Sequence, residues 1–231
     1  MPIKAVACDI DGTITDQNSM LCPEAINGIK MLKAMGLKVI FVSGRSIWEA
    51  YTLADFCGAD KVVVAENGGV VAKSPVDIVI LGDQEPPLKA YNVLASKIDN
   101  VRLRRSFPRF TDVVLLRTFP KEVGREIIRE HDLNVALYDS KVSYHLTRSD
   151  INKSVGLRKA AQILGIDLKE IVSIGDSETD VPMFKACGYS ISVANSESDA
   201  KANSSYTTLS RYGRGFEEAA AHVVDKFFKL Q

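Results

Sequence analysis

Asp9 and Asp11 stand one residue apart at the end of an apolar run, in the string Asp9-Ile10-Asp11-Gly12-Thr13. Side chains alternate along a strand, so residues i and i+2 face the same way. Two carboxylates on one edge repel each other and do not both stay ionised in a dry site. A divalent cation removes that conflict, and hard oxygen ligands with water-filled positions favour Mg²⁺. Asp176 and Asp180, in Gly175-Asp176-Ser177-Glu178-Thr179-Asp180, complete an acidic pole. Lys153 and Ser43 supply the opposite pole, a point charge and a hydroxyl suited to phosphate oxygens. A calcium loop is the obvious rival for Asp-x-Asp-Gly. It fails on spacing, because the EF-hand glycine falls two residues later, where Ile14 stands.

The elements that must position these groups alternate strand and helix. Residues 3–8 read as a strand. Pro23 suits the first turn of a helix whose apolar stripe is Ile26, Ile29, Leu32 and Met35, closed at Gly36. The run 37–42, apolar but for Lys38, predicts a strand covered on both faces. A helix over 46–57, a strand over 61–65 and the turn Glu66–Gly69 with a further short strand follow. This βαβαβ rhythm implies a parallel sheet with right-handed crossovers.

The rhythm then changes. A helix is predicted over 86–98, strands over 101–106 and 112–118, a helix over 120–131, and a hairpin of 134–139 with 141–147 around Ser140. Two α-β-β units of this kind predict a separate α+β module over 83–150. The parallel rhythm resumes with a helix over 151–164 capped by Asp150, a strand over 171–175, a helix over 179–186, a strand over 189–194 and a terminal amphipathic helix over 214–229. The fold class is therefore α/β: a three-layer, Rossmann-like parallel core over 1–82 and 151–231, with a smaller α+β cap inserted.

Ligands in open parallel sheets bind outside the carboxyl ends of the strands. The first strand ends in Asp9 and Asp11, the second in Ser43-Gly44-Arg45, the third in Glu66-Asn67-Gly68, and the strand at 171–175 in Asp176 with Asp180 nearby. Seven residues carry two readings each. Arg45 is either a surface residue or part of the site, and His145 either an ordinary packed histidine or a group reaching down to substrate. Asn67 is read first as a left-handed turn. Arg102 and Arg104, with Arg105 and Arg109 near them, read first as a solvated sheet face, with contact to a substrate carboxylate as the alternative.

Composition bounds the rest. The 231 residues are 46% hydrophobic and 25% charged, with 29 acids balancing 29 bases. A neutral chain makes no bulk electrostatic case for nucleic acid. No apolar run reaches the roughly 18–20 residues of a membrane span, and Asp9 and Asp11 interrupt the one apolar stretch a signal peptide could use. Four scattered cysteines with no Cys-x-x-Cys pair read as reduced thiols of a cytoplasmic protein. No sequence feature decides between a monomer and a homodimer.

The order and spacing of these motifs resemble the haloacid dehalogenase superfamily of phosphotransferases. The motifs are Asp9-Ile10-Asp11-Gly12-Thr13, Ser43-Gly44-Arg45, Lys153, and Gly175 to Asp180. The insert is similar to the cap of Cof-type members. Its small size, with Ser143-Tyr144-His145-Leu146 ahead of Asn152-Lys153, looks most like the archaeal phosphoglycolate phosphatases. Thr179 departs from the Asn found in many relatives before the last Asp. The resemblance implies hydrolysis of a small phosphorylated metabolite, phosphoglycolate by this likeness, through an aspartyl-phosphate. It implies Asp9 as nucleophile and Asp11 as proton shuttle. Mg²⁺ would be held by the Asp9 carboxylate, the Asp11 backbone carbonyl and Asp176, with Asp180 near or on the metal. Ser43, the Gly44 amide and Lys153 would hold the phosphoryl oxygens. A sugar-phosphate phosphatase or phosphomutase of the same superfamily is the first alternative. A receiver-like module phosphorylated on Asp is the second, weakened because its acceptor Asp ends a middle strand, where Ser43 stands here.

Overall fold

β1 (Ala5–Cys8) is buried at all four positions, which is what a run of small and β-branched residues at the centre of a covered sheet requires. The computed structural model describes residues 2–228. After β1 come α1 (Pro23–Ala34), β2 (Lys38–Phe41), α2 (Ile47–Cys57) and β3 (Val63–Ala65). A short meander adds β4 (Val70–Ala72) and β5 (Ile78–Ile80). Then follow α3 (Glu85–Lys97), β6 (Asp112–Leu115), α4 (Lys121–Glu130), β7 (Val135–Asp139) and β8 (Tyr144–Arg148). The chain continues through α5 (Lys153–Leu164), β9 (Ile171–Gly175), α6 (Val181–Ala186), β10 (Tyr189–Ser192), α7 (Ser198–Ala202), β11 (Tyr206–Thr207) and α8 (Tyr212–Phe227).

Five strands form a parallel sheet in the order β11-β10-β9-β1-β2. Ala5 of β1 pairs with Lys38 of β2 on one side and Ile171 of β9 on the other. A parallel bridge from Val42 to Val64 carries the sheet on towards β3, which then pairs antiparallel with β4, and β4 with β5. The period-2 alternation of β1 divides the interior. Val6 and Cys8 pack into one core with Ile29 and Leu32 of α1 and Phe216 of α8. Ala5 and Ala7 pack into the other with Leu157 of α5 and Met183 of α6. Three layers result, and every loop at the carboxyl end of the sheet converges on one edge.

A second sheet, antiparallel in the order β6-β8-β7, carries α3 and α4 on one face. Alternation again assigns the faces. Val113, Leu115, Tyr144 and Leu146 pack with Leu94 and Ile128 of the helices. Val114 and His145, one residue out of step, line a cavity above the parallel sheet.

Three expectations need correction. The strand expected over 101–106 contributes only a bridge from Leu103 to Leu115. Beyond Arg104 the chain leaves the ladder, and Pro108 has no N–H with which to resume it. The N-cap of α5 is Asn152, whose Oδ1 accepts from the Ser154 N–H at 3.0 Å, rather than Asp150, which is drawn into an ion pair with Arg148. The helix expected from 179 opens as a 3-10 turn over Glu178–Asp180 before α6. The last residue of the helix expected over 214–229 lies outside the described residues. Among the described residues no helix is long and apolar enough to cross a membrane, and all four cysteines are free.

Candidate active site

The ladder runs one residue past β1, because the Asp9 N–H donates to the Ile174 carbonyl at 2.9 Å. Asp9 is thereby held at the sheet edge, buried, with Ile10 anchored in the core beside it. The chain then turns at once: Ile14 N–H returns to the Ile10 carbonyl, and Gly12 sits at φ +82°, the left-handed region that glycine enters freely. A Cβ at Gly12 would lie 2.6 Å from Asp176 Oδ2. The glycine therefore serves both the turn and the close approach of a second carboxylate.

Lys153 opens α5 with its side chain only 2% exposed. Its Nζ donates to Asp9 Oδ1 at 2.7 Å and to Asp180 Oδ1 at 2.6 Å. The approach of α5 depends on Gly68, where a Cβ would meet the Asn152 carbonyl oxygen. Asp180 Oδ2 accepts from the Asp176 and Ser177 N–H groups, each at 2.9 Å, and from the Ser177 hydroxyl at 3.1 Å. Both Asp180 oxygens are thus occupied, and it fixes the loop after β9. Asp176 Oδ2 accepts from Lys141 Nζ at 2.5 Å, across from the β7–β8 turn.

Carboxylate oxygens of Asp9, Asp176 and Asp180 lie within 4.8 Å of one another. Burial pushes Asp9 well above the usual carboxylate range, against the pull of Lys153 and with the repulsion of Asp180, Asp176 and Asp11. Burial and the Asp180 charge raise Asp176 to about 6. Burial disfavours the Lys153 charge, yet Asp180 and Asp9 more than offset it and hold the ammonium above its usual range. The cluster carries more negative charge than its own cations neutralise. Asp176 Oδ1 is buried and takes no hydrogen bond among the described residues. An orphaned carboxylate oxygen beside two further carboxylates fits a hard divalent cation.

Asp11 is not part of this triad: β1 ends at Cys8 and Asp11 lies in the turn beyond it, so the strand alternation expected to align it with Asp9 does not reach it. Arg45 clasps Asp11 through two hydrogen bonds, Nε to Oδ2 at 2.8 Å and Nη2 to Oδ1 at 2.6 Å. Arg45 is therefore part of the site rather than a surface residue. Gly44 lines the cavity, whereas Ser43 lies beneath it, fully buried, with Oγ accepting from the Arg45 N–H at 3.1 Å. Asn67 adopts the expected left-handed conformation, φ +53°, but does more: it lines the cavity, and its buried Nδ2 has no hydrogen-bond partner among the described residues.

The cavity has a volume of about 640 Å³, with Asp9, Asp11 and Lys153 on its floor and His145 and residues 104–109 in its upper wall. Arg109, expected on a solvated face, is instead buried. Its Nη1 donates to Asp112 Oδ2 at 2.7 Å and to the Gly44 carbonyl at 3.0 Å. His145 Nδ1 contacts Asp112 Oδ2 at 2.9 Å. Burial opposes the Asp112 charge, but Arg109 and His145 prevail and hold it below the usual carboxylate range. Glu66, buried at φ +51°, accepts from the N–H groups of Phe110 and Thr111, tying the end of the same wall to the parallel core.

The model of the haloacid dehalogenase-like hydrolases matches residues 6–104 and 109–219, which include every group above except residues 105–108 of the cavity wall. The chain belongs to the haloacid dehalogenase-like hydrolases. It is 37% identical over 220 residues to a phosphoglycolate phosphatase of Nitrosopumilus maritimus, covering 95% of each chain. It is 37% identical over 223 residues to one of Methanosarcina acetivorans, covering 95% of this chain and 96% of that one. A crystal structure of a Thermoplasma acidophilum protein superposes with a TM-score of 0.86 at 25% identity, covering 96% and 98% of the two chains. Membership of this hydrolase family leaves the receiver-like reading without support. Motif spacing does not reveal Lys141, paired with Asp176, or Glu178, paired with Arg125 and Lys121, because each acts across the gap between the two sheets.

Proposed function

We propose that this phosphatase is Mg²⁺-dependent and hydrolyses a small phosphorylated acid, phosphoglycolate in the first instance, through an aspartyl-phosphate on Asp9. The observation that carries the mechanism is the buried cluster of Asp9, Asp176 and Asp180 around Lys153, with Asp176 Oδ1 unpaired beneath an open cavity. Relatives named phosphoglycolate phosphatase, aligned over 95% of the chain, support the choice of substrate.

Asp9 Oδ1 is held by Lys153, and Oδ2 takes no hydrogen bond among the described residues, so Oδ2 is the nucleophile. It attacks phosphorus while the bond to the leaving oxygen breaks, and Asp11 gives that oxygen a proton. Asp11 then takes a proton from water, which attacks the phosphorus of the aspartyl-phosphate, releasing phosphate and restoring Asp9. Because Arg45 holds both Asp11 oxygens, proton delivery requires Arg45 to release one of them. Lys153 and the Gly44 amide position the transferring group, and Ser43 supports that loop from beneath by accepting from the Arg45 N–H. Asp9, Asp176 and the Asp11 backbone carbonyl would hold Mg²⁺, with Asp180 orienting the loop. When bound, the ion neutralises charge on the phosphoryl oxygens and on the acidic pole. Residues 83–150 form the cap that covers this site, and a cytoplasmic setting suits its free thiols.

Phosphate release from a panel of phosphorylated metabolites tests this reading. With Mg²⁺, phosphoglycolate should be turned over; chelation or Asp9→Asn should reduce the rate to background. Equal turnover with chelator, wild-type activity in Asp9→Asn, or no activity on any member of the panel would each refute it.

A further inference from the structure

The charges around the cavity do not balance from floor to roof. Arg45 is matched by Asp11 and Glu49, Lys153 by Asp9 and Asp180, and Arg109 by Asp112. Two cations in the lining remain, Arg104 and Arg105. Arg104 Nη1 donates to a neutral partner, the Val142 carbonyl, at 2.9 Å. Arg105 has no hydrogen bond or ion pair among the described residues. Neither charge meets a carboxylate.

Both residues are exposed, yet the chain that carries them is fixed against the cap sheet. The Arg104 N–H donates to the Val114 carbonyl at 2.9 Å, and Val114 pairs with His145 of β8. Arg104, Val114 and His145 thus form one row across the cap sheet, and all three line the cavity. From Arg104 to Arg109 every residue lines it, so the segment that breaks away from the strand is the wall opposite the phosphoryl-binding floor. That wall is fixed at its far end by Glu66 and by Arg109 on the Gly44 carbonyl.

We propose that Arg104 and Arg105 recognise the carboxylate of the substrate, so that the site selects phosphomonoesters whose other end is anionic. A guanidinium fork matches a carboxylate in a way a point charge does not. The floor takes the phosphoryl group, and the unmatched charge of the roof takes the acid. A volume of about 640 Å³ also admits phosphorylated acids longer than phosphoglycolate. The inference rests on the phosphatase reading above and adds the residues that choose among its substrates.

The experiment compares kcat/KM for phosphoglycolate and for ethyl phosphate, which has the same two carbons and no carboxylate, in the full chain with Mg²⁺. Wild-type enzyme should prefer phosphoglycolate. Arg104→Ala/Arg105→Ala should lower the ratio of the two kcat/KM values by about 10–100-fold, chiefly through KM for phosphoglycolate. Arg104→Lys/Arg105→Lys should restore part of the ratio, since lysine keeps the charge and loses the fork. Because the ratio is taken within one protein sample, partial misfolding cancels. An unchanged ratio in the alanine variant, with the wild-type preference present, overturns this inference alone. A wild-type enzyme that hydrolyses both esters equally overturns the substrate class as well.

Discussion

Asp176 is where burial and chemistry oppose each other most openly. Its folded-state value of about 6 lies above the ordinary carboxylate range, chiefly because burial disfavours the charge. Between about pH 4 and 6 the metal-free folded chain therefore holds a proton that the unfolded chain has released. Stability contributed by this group falls as pH rises through that window. Asp9 is shifted in the same direction, which reinforces the sign. A bound cation prefers the carboxylate, so protons compete with it. Calorimetric titration should show Mg²⁺ affinity climbing as pH rises through about 6. An affinity independent of pH across that range would contradict the assignment of Asp176 as a ligand. At this scale Asp9, Asp11, Lys153, Asp176 and Asp180 are legible in the sequence, because their positions at strand ends and at a helix start mark them locally, although Asp11 sits in a turn and not in strand register with Asp9. The Arg45 clasp on Asp11 and the Lys141 bond to Asp176 are not, since each joins groups far apart in the chain.

The elements that read clearly are those with one dominant signal. β1 is a continuous apolar run, β2 and β9 are apolar but for Lys38 and Ser173, and α1 carries a regular stripe. The segment 101–106 misleads because alternating Val, Leu and Arg imitates a half-buried strand while Pro108 and the cavity pull the chain away. β5, α7 and β11 are too short to stand out by pattern. Among the groups that join the elements across the two sheets is Glu178, in the turn before α6. It accepts from Arg125 Nη2 at 3.0 Å, from Lys121 Nζ at 3.3 Å and from the Asp139 N–H at 3.2 Å. Burial opposes its ionisation, yet the Asp139 N–H and the two cations keep it below the usual range. Glu178→Ala should loosen this junction by about 1–3 kcal/mol. Hydrogen exchange at the Asp139 amide should accelerate accordingly, and an unchanged rate would show that Glu178 does not hold the two sheets together.

Across the whole molecule, the switch from parallel to antiparallel rhythm is visible in the sequence and matches two sheets with separate hydrophobic cores. How the second sheet sits over the first is not visible there. That placement depends on Glu66, Arg109 and Glu178, single side chains whose partners lie in the other sheet or in the loop leading to it. In the proposed mechanism the parallel sheet supplies the reacting groups at one edge, and the smaller sheet faces them with Arg104 and Arg105. Covalent catalysis at Asp9 is the claim that unites these features. Rapid acid quench of enzyme turning over phosphoglycolate, followed by peptide mass analysis, tests it most directly. One phosphoryl group should appear on the peptide containing Asp9 and be absent from Asp9→Asn. Turnover with no phosphorylated enzyme, or a phosphoryl group on another residue, would contradict it.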